Sequence, residues 1–166
     1  MSDALSLRAA AYVFENLAGA VRDGADPVAR EAVALGSLMG GLAFANASLG
    51  AVHGLAHPIG AILRLPHGFV CAVLLTPVLE FNAPARQERM NVLARELGVR
   101  SGAELPAAIR RLADEVGAPR GLREFGLSEK HFPEILEKRR SSSMSNNPRP
   151  ATDEDLTRIL RRVAAV

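Results

Sequence analysis

Apolar positions recur every three to four residues through most of the chain, and short breaks of Gly, Pro, Asp and Ser divide them into separate runs. In the first run Leu5, Ala9, Tyr12, Val13 and Leu17 share one face of a helix that Asp3 can cap and that extends to about Val21. Arg22-Asp23-Gly24-Ala25 ends it. Asp26-Pro27 restarts helix, with Asp as cap and Pro in the first turn, and the pattern continues to about Leu49. Gly36, Gly40 and Ala43 lie three or four apart in that second helix and would let another helix approach closely. A short third helix is expected to hold His53 and His57 and to end near Pro58-Ile59-Gly60.

Leu65-Pro66-His67-Gly68 reads as a loop opening a fourth, apolar helix from Phe69 to about Phe81. Asn82-Ala83-Pro84 then predicts a stop and a fifth helix over 84–97, terminated by Gly98. Ser101 can cap a sixth helix over about 102–116, with Leu105, Ile109 and Leu112 on one face, before Gly117-Ala118-Pro119. Ser128 starts a seventh over about 129–139, and the polar stretch 141–150 reads as a loop. Thr152 with Asp155 three residues later has the form of a capping box launching a last helix through Leu156, Ile159, Leu160 and Val163. There is no internal repeat, heptad run or strand-like alternation. The expectation is an all-α fold, a single helical-bundle domain of about seven to nine helices spanning 1–166.

Composition narrows the functional classes. At 166 residues and 48% apolar content the chain can bury roughly two-thirds of its unfolded surface, and aromatics at 4% favour helix over strand. Twenty basic and 18 acidic residues leave a net charge of +2, with the Arg pairs scattered beside acidic neighbours, so no nucleic-acid partner is expected. Cys71 is the single cysteine, which excludes an internal disulfide and a CxxC site, and it reads as an inert buried thiol. No basic n-region with an apolar h-region opens the chain, and a cytoplasmic location is expected. The uncharged stretch from Ala32 to Leu63 is long enough to span a bilayer, yet Ser37, Asn46, Ser48, His53, His57 and six glycines interrupt it. It is expected to be the buried centre of the domain, with no membrane partner.

The chemistry is concentrated in histidines. His53, His57 and His67 fall within fifteen residues, and the spacing of the first two puts them one turn apart on one helical face. Two readings fit that pair: partly buried structural imidazoles, or metal ligands and proton carriers. His67 in a Pro-His-Gly loop favours the second. His131, between Lys130 and Phe132, reads as an exposed surface residue. No Gly-x-Ser-x-Gly, dinucleotide fingerprint or P-loop is present.

The run from Gly41 to Gly60, containing Val52-His53-Gly54-Leu55-Ala56-His57-Pro58, resembles the signature of the iron-containing (group III) alcohol dehydrogenases. The likeness continues through Leu65-Pro66-His67-Gly68 and Ala72–Leu79, and Asn147-Pro148-Arg149-Pro150 with Asp155 resembles that family's closing segment. The resemblance implies the helical C-terminal domain of the dehydroquinate-synthase-like fold. It also implies metal ligands at His53 and His67, and at His57 a histidine beside the metal that helps in substrate binding or proton transfer. The metal, Fe2+ or Zn2+, would act as a Lewis acid on an alcohol oxygen while hydride passes to NAD(P).

The chain departs from the family pattern in what it lacks. The family's N-terminal α/β domain with its Gly-rich pyrophosphate loop is missing, as are its other two metal ligands, an Asp and a His four residues apart. Asp3 is superficially similar to that segment, but Leu7 stands at the histidine spacing. Two imidazoles make an incomplete shell. The expectation is therefore weak metal binding and no alcohol oxidation by this chain alone, with NAD(P) bound only if a partner chain supplies the nucleotide-binding domain. The alternatives are a standalone non-catalytic helical interaction module, whose exposed apolar face would pair with another copy as a homo-oligomer, and a small metal-binding protein whose site a homodimer completes.

Overall fold

A computed structural model describes residues 1–139 and 142–166. Among them the fold is all-α, with no strand. The chain forms two compact units, each built from two separate stretches of sequence: 1–48 with 86–117, and 49–85 with 118–166.

In the first unit helices α1 (Ser2–Arg22) and α2 (Pro27–Ala47) make an antiparallel hairpin, joined by α5 (Gln87–Glu96) and α6 (Leu105–Glu115). The hairpin turn is set by two aspartates. Asp23 Oδ1 accepts the Ala25 N–H at 2.9 Å, and Asp26 Oδ1 accepts the N–H groups of Val28 and Ala29, satisfying donors that a helix start leaves orphaned. Asp3 does not cap α1. It lies in the first turn, where its carboxylate pairs with Arg89 on α5 and so favours the positive end of the helix dipole.

The α1–α2 contact runs over small residues. A Cβ built on Gly36 would sit 3.0 Å from Ala9 O and 2.8 Å from Val13 Cγ2, so only glycine allows that approach. This geometry corrects the expectation that Ala32–Leu63 is buried throughout. With Ala29, Gly36 and Ala43 turned inward, the large side chains of Leu35, Leu38, Leu42 and Phe44 are exposed on α2. Two helical stretches, Pro27–Ala47 and His67–Ala85, are long and apolar enough to cross a membrane by length and composition alone.

The second unit contains α3 (Ala51–Leu63), α4 (His67–Asn82), α7 (Phe132–Lys138), α8 (Ser142–Ser145) and α9 (Asp153–Ala164). Its core joins Leu55 and Ile59 of α3, Val70, Val73 and Leu74 of α4, Ile135 of α7, and Leu156, Leu160 and Val163 of α9. Thr152 and Asp155 form the expected capping box, with Asp155 N–H on Thr152 Oγ1 at 3.1 Å and Thr152 N–H on Asp155 Oδ2 at 3.1 Å. The stretch 141–150, expected to be loop, contains the single turn α8; its residue 141, like residue 140 before it, lies outside the described residues.

Pro58 does not end α3; it lies inside the helix, as Pro77 lies inside α4. A proline in a helix interior costs about 3 kcal/mol through one missing hydrogen bond and a carbonyl clash. Fully burying Leu55 and Ile59 offsets that by about 3–6 kcal/mol, so packing overrides the local signal. The fifth, sixth and seventh helices each begin later than expected, because residues 83–85, 102–104 and 129–131 form tighter 3₁₀ turns ahead of the α-helical segments.

Candidate metal centre

The site lies wholly in the second unit, where the chain reverses between α3 and α4. Arg64 closes α3 in the left-handed conformation at φ 55°, and Leu65 N–H bonds to Gly60 O at 3.1 Å. Pro66 supplies the extended residue before α4, leaving His67 as the first helical residue. A side chain at Gly60 would press to 3.3 Å from Leu65 O, so this turn is tight against α3.

That reversal folds α4 back along α3 and gathers the three histidines. The ring centroids of His53 and His67 are 5.2 Å apart, and those of His57 and His67 are 4.8 Å apart. Burial, and then the neighbouring His67 and His57, lower the pKa of His53 below its usual range, which favours the neutral imidazole that a metal requires. His53 is half-buried and His67 exposed, so the cluster opens to solvent.

Cys71 joins this cluster, although its sequence context reads as that of an inert thiol. Its Sγ lies 3.3 Å from His67 Nε2, one turn along α4. One ligand atom each from His53, His67 and Cys71 can be chosen so that all three lie within 4.8 Å of one another. Burial pushes the Cys71 thiol up to about 11, so the apo thiol is protonated at neutral pH. The spacing of His67 and Cys71, identical to that of His53 and His57, was a sequence signal for this pairing.

The start of α3, the helix that carries His53 and His57, is held by a second group whose role does not show in the sequence. Gly50, the residue before α3, has no side chain to cap the helix, and Asn147 takes that role from 96 residues away, its Oδ1 accepting the buried Ala51 N–H at 3.0 Å. Asn147 and Asn82 exchange reciprocal amide hydrogen bonds at 2.8 and 3.1 Å, and Asn147 Nδ2 also donates to Arg149 O. Arg149 stacks over the Phe81 ring at 4.3 Å and donates to Phe81 O, tying the 147–150 segment to the end of α4. His131 stands apart from the cluster, and it is half-buried rather than exposed: its Nδ1 accepts the Ser128 N–H at 3.3 Å and closes a capping box.

The chain is similar in sequence and fold to known proteins. Residues 1–164 match the profile of the Fe-containing alcohol dehydrogenase family, C-terminal. The chain is 35% identical over 171 residues to the 1,3-propanediol dehydrogenase of Citrobacter freundii, covering 98% of this chain and 44% of that protein. It is 35% identical over 170 residues to the lactaldehyde reductase of Escherichia coli (strain K12), again covering 44% of the relative. Among solved structures, a 1,3-propanediol oxidoreductase superposes with a TM-score of 0.94 at 34% identity, over 98% of this chain and 45% of that one. A sulfoacetaldehyde reductase from Bifidobacterium kashiwanohense in complex with NAD+ gives 0.93 at 28% identity, over 100% of this chain and 44% of that one. The chain thus spans less than half the length of the relatives it matches.

Proposed function

The chain belongs to the iron-containing alcohol dehydrogenase family, as a C-terminal helical part, and we propose that it supplies the metal-binding half of an NAD(P)-dependent alcohol oxidoreductase. The observation that supports this reading is the convergence of His53, His57 and His67 at one solvent-open reversal between α3 and α4.

The residues fit a divalent metal. Imidazoles at His53 and His67 are the nitrogen donors that Fe2+ and Zn2+ both accept, and burial favours the neutral form of His53. When bound, such a metal acts as a Lewis acid that stabilises the developing alkoxide of the alcohol. His57 lies one turn along α3 from His53 and faces the His67 ring, a position from which its imidazole orients the substrate hydroxyl and carries a proton to solvent. The Asn147 cap and the Arg64 turn hold the two helices so that these rings keep their spacing.

Nicotinamide binding and the remaining metal donors fall to a nucleotide-binding α/β half, and this chain by itself does not oxidise alcohols. The substrate class is small alcohols and their aldehydes, the kind of compound named for the propanediol, lactaldehyde and methanol enzymes it resembles. The test is to co-express the chain with the nucleotide-binding half of the Citrobacter freundii relative and follow reduction of NAD+ by 1,3-propanediol. Activity is expected from the pair and not from either half, with His57→Gln lowering kcat by about 10²–10⁴-fold at unchanged metal content. Equal activity in the His57→Gln pair would overturn the role given to His57, and activity that survives His53→Ala with His67→Ala would overturn the metal-binding role.

A further inference from the structure

We propose that Cys71 is a third metal ligand, so that His53, His67 and Cys71 of this chain form an open N2S site that takes Zn2+ or Co2+ in preference to Fe2+. The inference rests on the metal-binding reading of His53 and His67 and adds a donor that the family resemblance does not supply.

The geometry is that of a nearly closed shell. Zn–N bonds of about 2.0–2.1 Å and Zn–S bonds of about 2.3 Å set tetrahedral donors roughly 3.3–3.6 Å apart. The Cys71 Sγ to His67 Nε2 separation of 3.3 Å already falls in that range. The widest separation among the three donors is 4.8 Å or less, so His53 needs to close by about 1 Å, a shift that side-chain rotation provides. The helix supplies the register: His67 is the first residue of α4 and Cys71 lies four residues on, so both project from one face toward α3.

Chemistry favours the same answer. The segments that carry the three histidines contain no Asp or Glu from Ala32 to Leu79, so two imidazoles alone would bring no negative charge to a dication. A thiolate brings one. It is also a soft donor, which shifts preference from Fe2+ toward Zn2+ and Co2+. A thiol that merely donates to His67 Nε2 would have the same distance in the apo protein, and metal spectroscopy separates the two roles.

The experiment is a Co2+ titration of the full chain, prepared metal-free, reduced and anaerobic, beside Cys71→Ser, Cys71→Ala and His53→Ala. The expected result is a near-ultraviolet thiolate-to-cobalt charge-transfer band that saturates with Co2+ and is displaced by Zn2+ but not by an equal concentration of Fe2+. Both Cys71 variants should lose the band and bind Co2+ at least about 10–100-fold more weakly, with apo melting curves close to wild type. Co2+ bound with visible ligand-field bands but no charge-transfer band, or a Cys71→Ser variant of wild-type affinity, would exclude Cys71 and leave the histidine site standing. Failure of the unaltered chain to bind Co2+ would overturn the three-donor site, while the role of His53 and His67 in a site shared with the α/β half is decided separately by the co-expressed pair. The band of the unaltered chain decides the question even if the Cys71 variants do not fold.

Discussion

Replacing Asn147 by Ala removes the contact that holds the start of α3, the helix bearing His53 and His57. Asn147 is nearly buried and serves four hydrogen bonds: it accepts from Ala51 N–H and Asn82 Nδ2, and donates to Asn82 Oδ1 and Arg149 O. Ala51 is fully buried, so its N–H would be left without a partner, at a cost of about 1–3 kcal/mol. Asn82 and the Arg149 carbonyl are only partly buried and can recover part of their loss from water. The sum is about 2–4 kcal/mol, which at about 2–4 °C per kcal/mol for a chain of this size lowers Tm by roughly 5–15 °C. Urea and thermal melts followed by far-ultraviolet circular dichroism measure it. Asn46→Ala is the control, since Asn46 is exposed and its side chain donates to Leu42 O in its own helix, and it should stay within about 0.5 kcal/mol of wild type. The Asn82→Ala/Asn147→Ala cycle should show about 0.5–3 kcal/mol of coupling. An Asn147→Ala variant as stable as Asn46→Ala would refute the cap.

Other perturbations probe other parts of the account. Gly102→Ala would drive a Cβ to 2.7–2.9 Å from Met90 and the Asn91 backbone nitrogen on α5, and should cost about 1–3 kcal/mol in a denaturant melt. Leu74→Ala, in the core of the second unit, should cost about 2–5 kcal/mol by the same measurement. Thr152→Ala should cost about 1 kcal/mol through loss of the α9 cap. The Thr152 backbone N–H and hydroxyl, and then Arg158, hold the Asp155 carboxyl below its ordinary 3.8. Its contribution is therefore fully present above that pH and fades as pH falls through the lowered folded value. Melts from about pH 7 to about pH 2.5 should show the gap between wild type and Asp155→Asn narrowing at the acid end.

Local signals in the sequence account for much of the fold. Asp26-Pro27 and Thr152 with Asp155 announce helix starts because the capping atoms lie within three residues of the donors they satisfy. The histidine cluster was legible for a similar reason, since one helical turn separates His53 from His57 and a short reversal returns His67. What was hidden depends on partners distant in sequence. Pro58 reads as a breaker because its cost is local, whereas the core packing that tolerates it comes from α7 and α9. Asn147 read as part of a polar loop because its partner, Ala51, is 96 residues away. The outward leucines of α2 were misread because period and composition do not say which face the glycines claim.

The central claim is that His53 and His67 make a metal site in this chain. It is tested most directly by the metal content of the anaerobically purified protein after loading with Fe2+ or Zn2+, beside the His53→Ala/His67→Ala variant. Metal bound by the unaltered chain above the level of the double variant is the result predicted. Metal in the unaltered chain no higher than in the double variant would contradict it.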